Sequence, residues 1–144
     1  MDNRSLMPIS IPIGEKCWEE NGLEECERLG WYEDENRVRL NCTIITVHGE
    51  LAFVSEETYT IELTKDRHLL LYVWHGYPFR YKERIMHVIL NEESAELLRR
   101  RIEAVETLEE FWDLFEELRD RLGHCSEKKG AICIEKAHYY KVQV

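Results

Sequence analysis

The sequence is poor in the local signals that usually betray a chemistry. Its seven glycines never gather into a phosphate-cradling loop, and no Gly-Lys-Ser/Thr, His-Glu-x-x-His or calcium-loop pattern occurs. No serine stands between glycines as a nucleophile elbow would require. Long apolar runs are missing too: the longest, Leu69 to Trp74, falls far short of the ~20 residues of a membrane helix. The amino terminus (Met1, Asp2, Asn3, Arg4) has no apolar signal core, so a cytoplasmic protein without an anchor is expected. Gln143 is the only glutamine, and Glu and Arg dominate the charged set, a balance like that of heat-adapted proteins. Positive charge is scarce: 19 Lys and Arg face 29 Asp and Glu, for a net charge of -10. Such a balance repels phosphate backbones and anionic membranes, so nucleic acid is not an expected partner and a membrane is excluded as one.

What is present is enough chain, 144 residues with 44% apolar side chains, for one compact domain over 1–144 with its own core. Five cysteines (Cys17, Cys26, Cys42, Cys125, Cys133) cannot all pair within one chain, so reduced thiols are the default. In a heat-adapted host an intracellular disulfide is also admissible. The sequon Asn41-Cys42-Thr43 reads as a polar strand or turn position in a chain without a secretion signal.

The patterning predicts an α+β fold. Ile9, Ile11 and Ile13 alternate with Ser10 and Pro12, as in a short edge strand. Glu15 to Leu29 has helical composition broken by Asn21 and Gly22, which predicts a short amino-terminal helix or two. Arg37–Val47, Leu51–Val54, Thr58–Leu63, Leu69–Trp74 and Arg84–Leu90 read as strands; their connections are too short for crossover helices, so an antiparallel meander follows. Arg84–Leu90, apolar at both parities apart from Arg84 and His87, suggests cover on both faces. Asn91 caps a helix carrying Leu98, Ile102 and Val105, and Thr107 with Glu110 forms a capping box for a second, carrying Leu108, Phe111, Trp112, Phe115, Leu118 and Leu122. This pair should cover one face of the meander, with Trp112 and Phe115 in the core, and Ala131 to Val144 should form a final carboxy-terminal strand.

Candidate sites are few. Trp74, His75, Tyr77, Arg80, Lys82 and Arg84 lie in the densest aromatic and basic stretch, residue types enriched in binding hot spots. Strand parity turns Phe79 and Tyr81 one way and Arg80, Lys82 and Arg84 the other, so an amphipathic hairpin competes with an RNA-binding platform. His124, Cys125, Cys133 and His138 are zinc-type ligands, but seven residues separate the cysteines, and Cys133 and His138 would face opposite sides of a strand. Cys17 and Cys26 are further thiols that a metal could recruit. Buried structural thiols are the preferred reading, and no metal or other cofactor is expected. His87 in an apolar strand and His75 beside Gly76 are candidates for acid-base chemistry if either lines a pocket next to a carboxylate.

Charge is asymmetric. Glu15 to Asn36 is net -7, Asn91 to Arg121 net -6, and His124 to Val144 net +2. Without a catalytic motif, the expected role is a non-enzymatic binding or adaptor protein, with a protein partner or self-association as a homodimer. The alternatives are a small hydrolase or lyase using histidine and carboxylate between sheet and helices, and an RNA-binding module at 74–84.

Overall fold

A computed structural model describes residues 9–49, 53–77, 80–122 and 133–137. Six strands run in chain order: β1 (Ile9–Glu20), β2 (Leu23–Glu33), β3 (Arg37–His48), β4 (Phe53–Thr64), β5 (His68–Tyr77) and β6 (Tyr81–Leu90). Each is antiparallel to the one before it. Helices α1 (Glu92–Glu103) and α2 (Leu108–Leu122) follow, and β7 (Cys133–Ala137) adds to β6 in parallel, giving the order β1-β2-β3-β4-β5-β6-β7. The α+β class and the antiparallel meander under a helix pair are therefore as the patterning predicts.

The amino-terminal helix is not. Glu15 to Leu29 forms the ends of β1 and β2, joined by the two-residue turn Asn21-Gly22 with φ of 52° and 81°. Two consecutive positive φ values define the hairpin turn that matches strand twist, and Asn-Gly is its preferred pair. That local chemistry outweighs the helix-favouring Glu, Lys and Arg around it. Of two strands expected separately, Leu51–Val54 and Thr58–Leu63, the described residues Phe53 and Val54 of the first and all of the second belong to the single β4, with Ser55, Glu56 and Glu57 inside it, while Leu51 and Ala52 lie outside the described residues. The final strand is confined, among the described residues, to Cys133–Ala137.

Alternation along the strands sends Leu29, Val38, Leu40, Cys42, Ile61, Leu63, Leu69, Leu71, Met86, Val88 and Leu90 to one face. There they meet Leu98, Ile102, Phe111, Leu114, Phe115, Leu118 and Leu122 of the helices. Phe115 is fully buried and Trp112 half-buried, and both stand edge-on to Tyr59, at 5.8 and 5.0 Å between centroids. Burial of such a phenylalanine contributes roughly 1.5–3 kcal/mol. The helices are fixed at their starts: Asn91 Oδ1 accepts from Ser94 N–H at 2.8 Å, and Thr107 Oγ1 accepts from Glu110 N–H at 3.1 Å. Arg99 ties α1 to Glu33 of β2 at 2.8 Å, and Arg101 ties α1 to Glu117 of α2.

Among the described residues the helices cover one face of strand β6: Met86, Val88 and Leu90 are buried beneath them and half-buried Ile85 packs against the same core, whereas His87 and Ile89 are half-buried on the other side. A strand of 12 residues spans about 40 Å and a helix of 15 about 22 Å. The turn-proximal ends of the sheet thus project past the helices, which is where Trp18, Leu23, Val54, Trp74 and Tyr81 are exposed.

Candidate functional site

The face of the sheet turned away from the helices is built from polar residues at alternate positions of β3 and β4: Arg37, Arg39, Asn41 and Thr43 opposite Thr64, Glu62, Thr60 and Thr58. Their side chains pair across the strands. Thr60 donates to Asn41 Oδ1 at 2.8 Å, and the Thr43 and Thr58 hydroxyls meet at 3.0 Å. Glu62 is the anchor, only 6% exposed although no helix covers it. Its Oε1 accepts from Arg39 Nε at 2.7 Å and from the Tyr72 hydroxyl at 3.0 Å, and Arg37 Nη1 lies 3.7 Å from Oε2. A buried carboxylate is costly unless it is paired and hydrogen-bonded, and these three partners meet that cost. Burial, then the Glu62 charge, pushes the Tyr72 phenol up to about 12. Lys82 Nζ closes over the Tyr72 ring, 4.0 Å from its centroid.

Beside this network the face dips into an open depression of about 560 Å³. His68 and His87 form part of its wall, with Asp66, Arg37, Lys65 and Asn36 around them. His68 heads β5 and His87 lies in β6; the register sets them diagonally, and His68 Nδ1 meets His87 Nε2 at 2.8 Å. The turn before β5 is locked by Thr64, whose hydroxyl donates to Asp66 Oδ1 at 2.6 Å and accepts from His68 N–H at 2.9 Å. Asp66 Oδ2 thereby stands 3.7 Å from His68 Nε2. Burial, then the neighbouring His68 and Arg84, lowers the His87 pKa from its ordinary 6.5, which favours its neutral form. The Thr64 hydroxyl, ahead of the nearby His68, holds the Asp66 carboxyl below its usual range. A carboxylate 3.7 Å from one imidazole, which is itself hydrogen-bonded to a second, brings together the groups of acid-base chemistry.

The aromatic-basic stretch divides between the two faces. Trp74, 43% exposed, pairs with Lys82, and Tyr72 with Arg84, all on the polar face. His75 lies on the opposite face, stacked on Tyr81 with centroids 4.2 Å apart and 3.5 Å from Glu83. Arg80 is exposed between the strands. Tyr77 ends β5 opposite Glu56, and its side chain, like Phe79, lies outside the described residues. Of the proposed metal ligands, His124, Cys125 and His138 also lie outside them, and Cys133 is placed only by its backbone in β7. Cys42 is buried, and desolvation pushes its thiol up to about 12.

Two features escaped sequence reasoning. The meeting of His68 with His87 depends on a bulge between Leu71 and Tyr72 that no local pattern announces. The Cys17–Cys26 disulfide, which overrides the default of reduced thiols for this pair, was legible: an Asn-Gly turn opposes Glu20 to Leu23, and three rungs further Cys17 to Cys26. Among the described residues no helix is long and apolar enough to cross a membrane. Compared with known proteins, the chain matches no family model, no curated protein and no solved structure.

Proposed function

We propose that the protein acts by binding rather than catalysis and receives a protein partner with an acidic contact segment on the polar face of the sheet. The observation that supports this reading is a local basic and aromatic patch in a chain of net charge -10: Lys82 and Arg84 of β6 are exposed on the polar face beside exposed Trp74, whereas Arg37 and Arg39 on that face are paired with Glu62. Complementary charge steers encounter, and Trp and Arg are the residue types that anchor interfaces. The test is affinity recovery of copurifying protein with the wild-type chain and with Lys82→Glu/Arg84→Glu. Both side chains are exposed and the Lys82 contact with the Tyr72 ring is lost, so the expected result is a retained fold whose melting falls slightly, with loss of the partner, and an unchanged set of recovered proteins overturns the reading. Self-association belongs to the same reading: among the described residues β1 and β7 are the outer strands of the sheet, and an edge strand is covered most simply by its two-fold copy.

One observation favours an enzyme instead: His87 lines the depression beside Asp66, with His68 between them. On this reading neutral His87 is a general base acting on a small ester, amide or phosphoester substrate at the open sheet face rather than between sheet and helices. Turnover by the wild-type chain that His87→Gln abolishes supports it, and turnover that survives the substitution rejects it.

A further inference from the structure

The β1–β2 hairpin carries a second cluster, away from the depression. On the polar face of the sheet three cross-strand pairs follow one another: Glu15 opposite Arg28, Cys17 opposite Cys26, and Glu19 opposite Glu24. The two-residue turn at Asn21-Gly22 fixes this register, and the Cys17 and Cys26 Cα atoms stand 4.1 Å apart. The sulfurs are joined in a disulfide in this structure, with Cys17 exposed and Cys26 half-buried. The ligand atoms of Glu15, Cys17 and Cys26 all lie within 4.8 Å of one another.

Glu15 is held in a particular way. Arg28 Nε donates to its Oε2 at 2.6 Å, which leaves Oε1 turned toward the disulfide, 3.5 Å from Cys17 Sγ. An outer partner that orients a ligating group is a recurrent part of metal sites. Two rungs nearer the turn, Glu19 and Glu24 face each other with like charge, an arrangement that destabilises a strand pair unless something positive lies close. On the neighbouring strand Thr43, Ile45 and Val47 flank the cluster and supply no competing cation.

From these observations we infer that Glu15, Cys17 and Cys26 form a redox-gated site for a thiophilic divalent cation, of which Zn²⁺ is the type, closed while the disulfide is intact. A dithiol reductant opens it, transferring two electrons and two protons to the disulfide and becoming a disulfide itself. The cation then displaces the two thiol protons and takes two thiolates, the Glu15 Oε1 oxygen and a water as a tetrahedral set. Glutathione disulfide reverses the step: it takes two electrons from the two thiolates and two protons from water to become two glutathione thiols, Cys17–Cys26 re-forms, and the cation leaves.

The test uses the full chain, reduced with a phosphine that is then removed under argon, and titrated with Co²⁺. The expected result is one equivalent bound with a thiolate-to-cobalt charge-transfer band and tetrahedral visible bands, displaced by Zn²⁺ and lost on adding glutathione disulfide. Cys17→Ser and Cys26→Ser should each abolish the band, Glu15→Gln should weaken binding about tenfold or more, and Cys125→Ser/Cys133→Ser should leave the band in place. Protection of Cys17 and Cys26 from alkylation by Zn²⁺, mapped by peptide mass spectrometry, reads the same site without substitution. No charge-transfer band in the reduced wild-type chain, or a band that survives Cys17→Ser, overturns the inference.

Discussion

His87 illustrates how one residue's setting differs from its place in the sequence. An imidazole in an apolar strand reads as a core residue, yet alternation turns it to the polar face, where burial, then His68 and Arg84, disfavour its charged form. Its folded pKa is lowered, so on acidification the unfolded chain takes up this proton first. Stability therefore rises with pH through the interval from the folded pKa up to about 6.5 and falls as acid is added through it. Thermal melts between pH 5 and 8 should show less loss on acidification in His87→Gln than in the wild type; parallel curves would mean His87 adds nothing to the linkage. Phe115 was legible from spacing alone, because a helix of 3.6 residues per turn aligns Phe111, Phe115, Leu118 and Leu122 on one stripe. Phe115→Ala should cost about 3 kcal/mol or more in denaturant unfolding, through lost burial and the cavity left under Tyr59. An unshifted midpoint would place that stripe outside the core.

Among the elements, α1 and α2 were readable at both ends because caps are local: Asn91 and Thr107 make the bonds their positions imply. Strands β1 and β2 were misread because Glu, Lys and Arg favour helices wherever they occur, and only the turn between them carries the decisive signal. That turn is testable. Gly22, at φ +81°, has open space around it, so a side chain there meets no clash and pays only for its backbone conformation. Gly22→Val should destabilise the hairpin by about 1–2 kcal/mol, detected as a lower melting temperature and faster amide exchange in β1. Equal melting would mean the turn readjusts without cost. Strand β4 was split in the reading because Ser55, Glu56 and Glu57 break an apolar pattern; its end projects beyond the helices, where polar residues on either face meet water.

At the scale of the molecule, fold class and strand succession followed from short connections, whereas the polar face did not. Its residues are scattered from Glu15 to His87, and only the register sets Glu62 beside Arg39 and Tyr72. Parity predicted the separation of Lys82 and Arg84 from Tyr81, but not that Lys82 would lie over Tyr72. The edge-to-edge dimer carries its own test. Light scattering at micromolar concentration should return twice the 17.3 kDa of one chain, and a monomer mass would reject pairing through β1 or β7.

The parallel seating of β7 bears on how the chain assembles. Every pairing from β1 to β6 joins strands adjacent in sequence, so five hairpins can form with short loop closures, and α1 and α2 can settle on the sheet as soon as it exists. Only the β6–β7 contact, Val88 with Cys133 and Ile89 with Ile134, must wait for the whole helical excursion to be laid down. Loop-closure entropy makes such a contact late to form and early to open. In refolding followed by pulsed hydrogen exchange, the amides shared between β6 and β7 should gain protection after those of the meander. During synthesis the sheet would then be finished from its amino-terminal edge, and its opposite border sealed last.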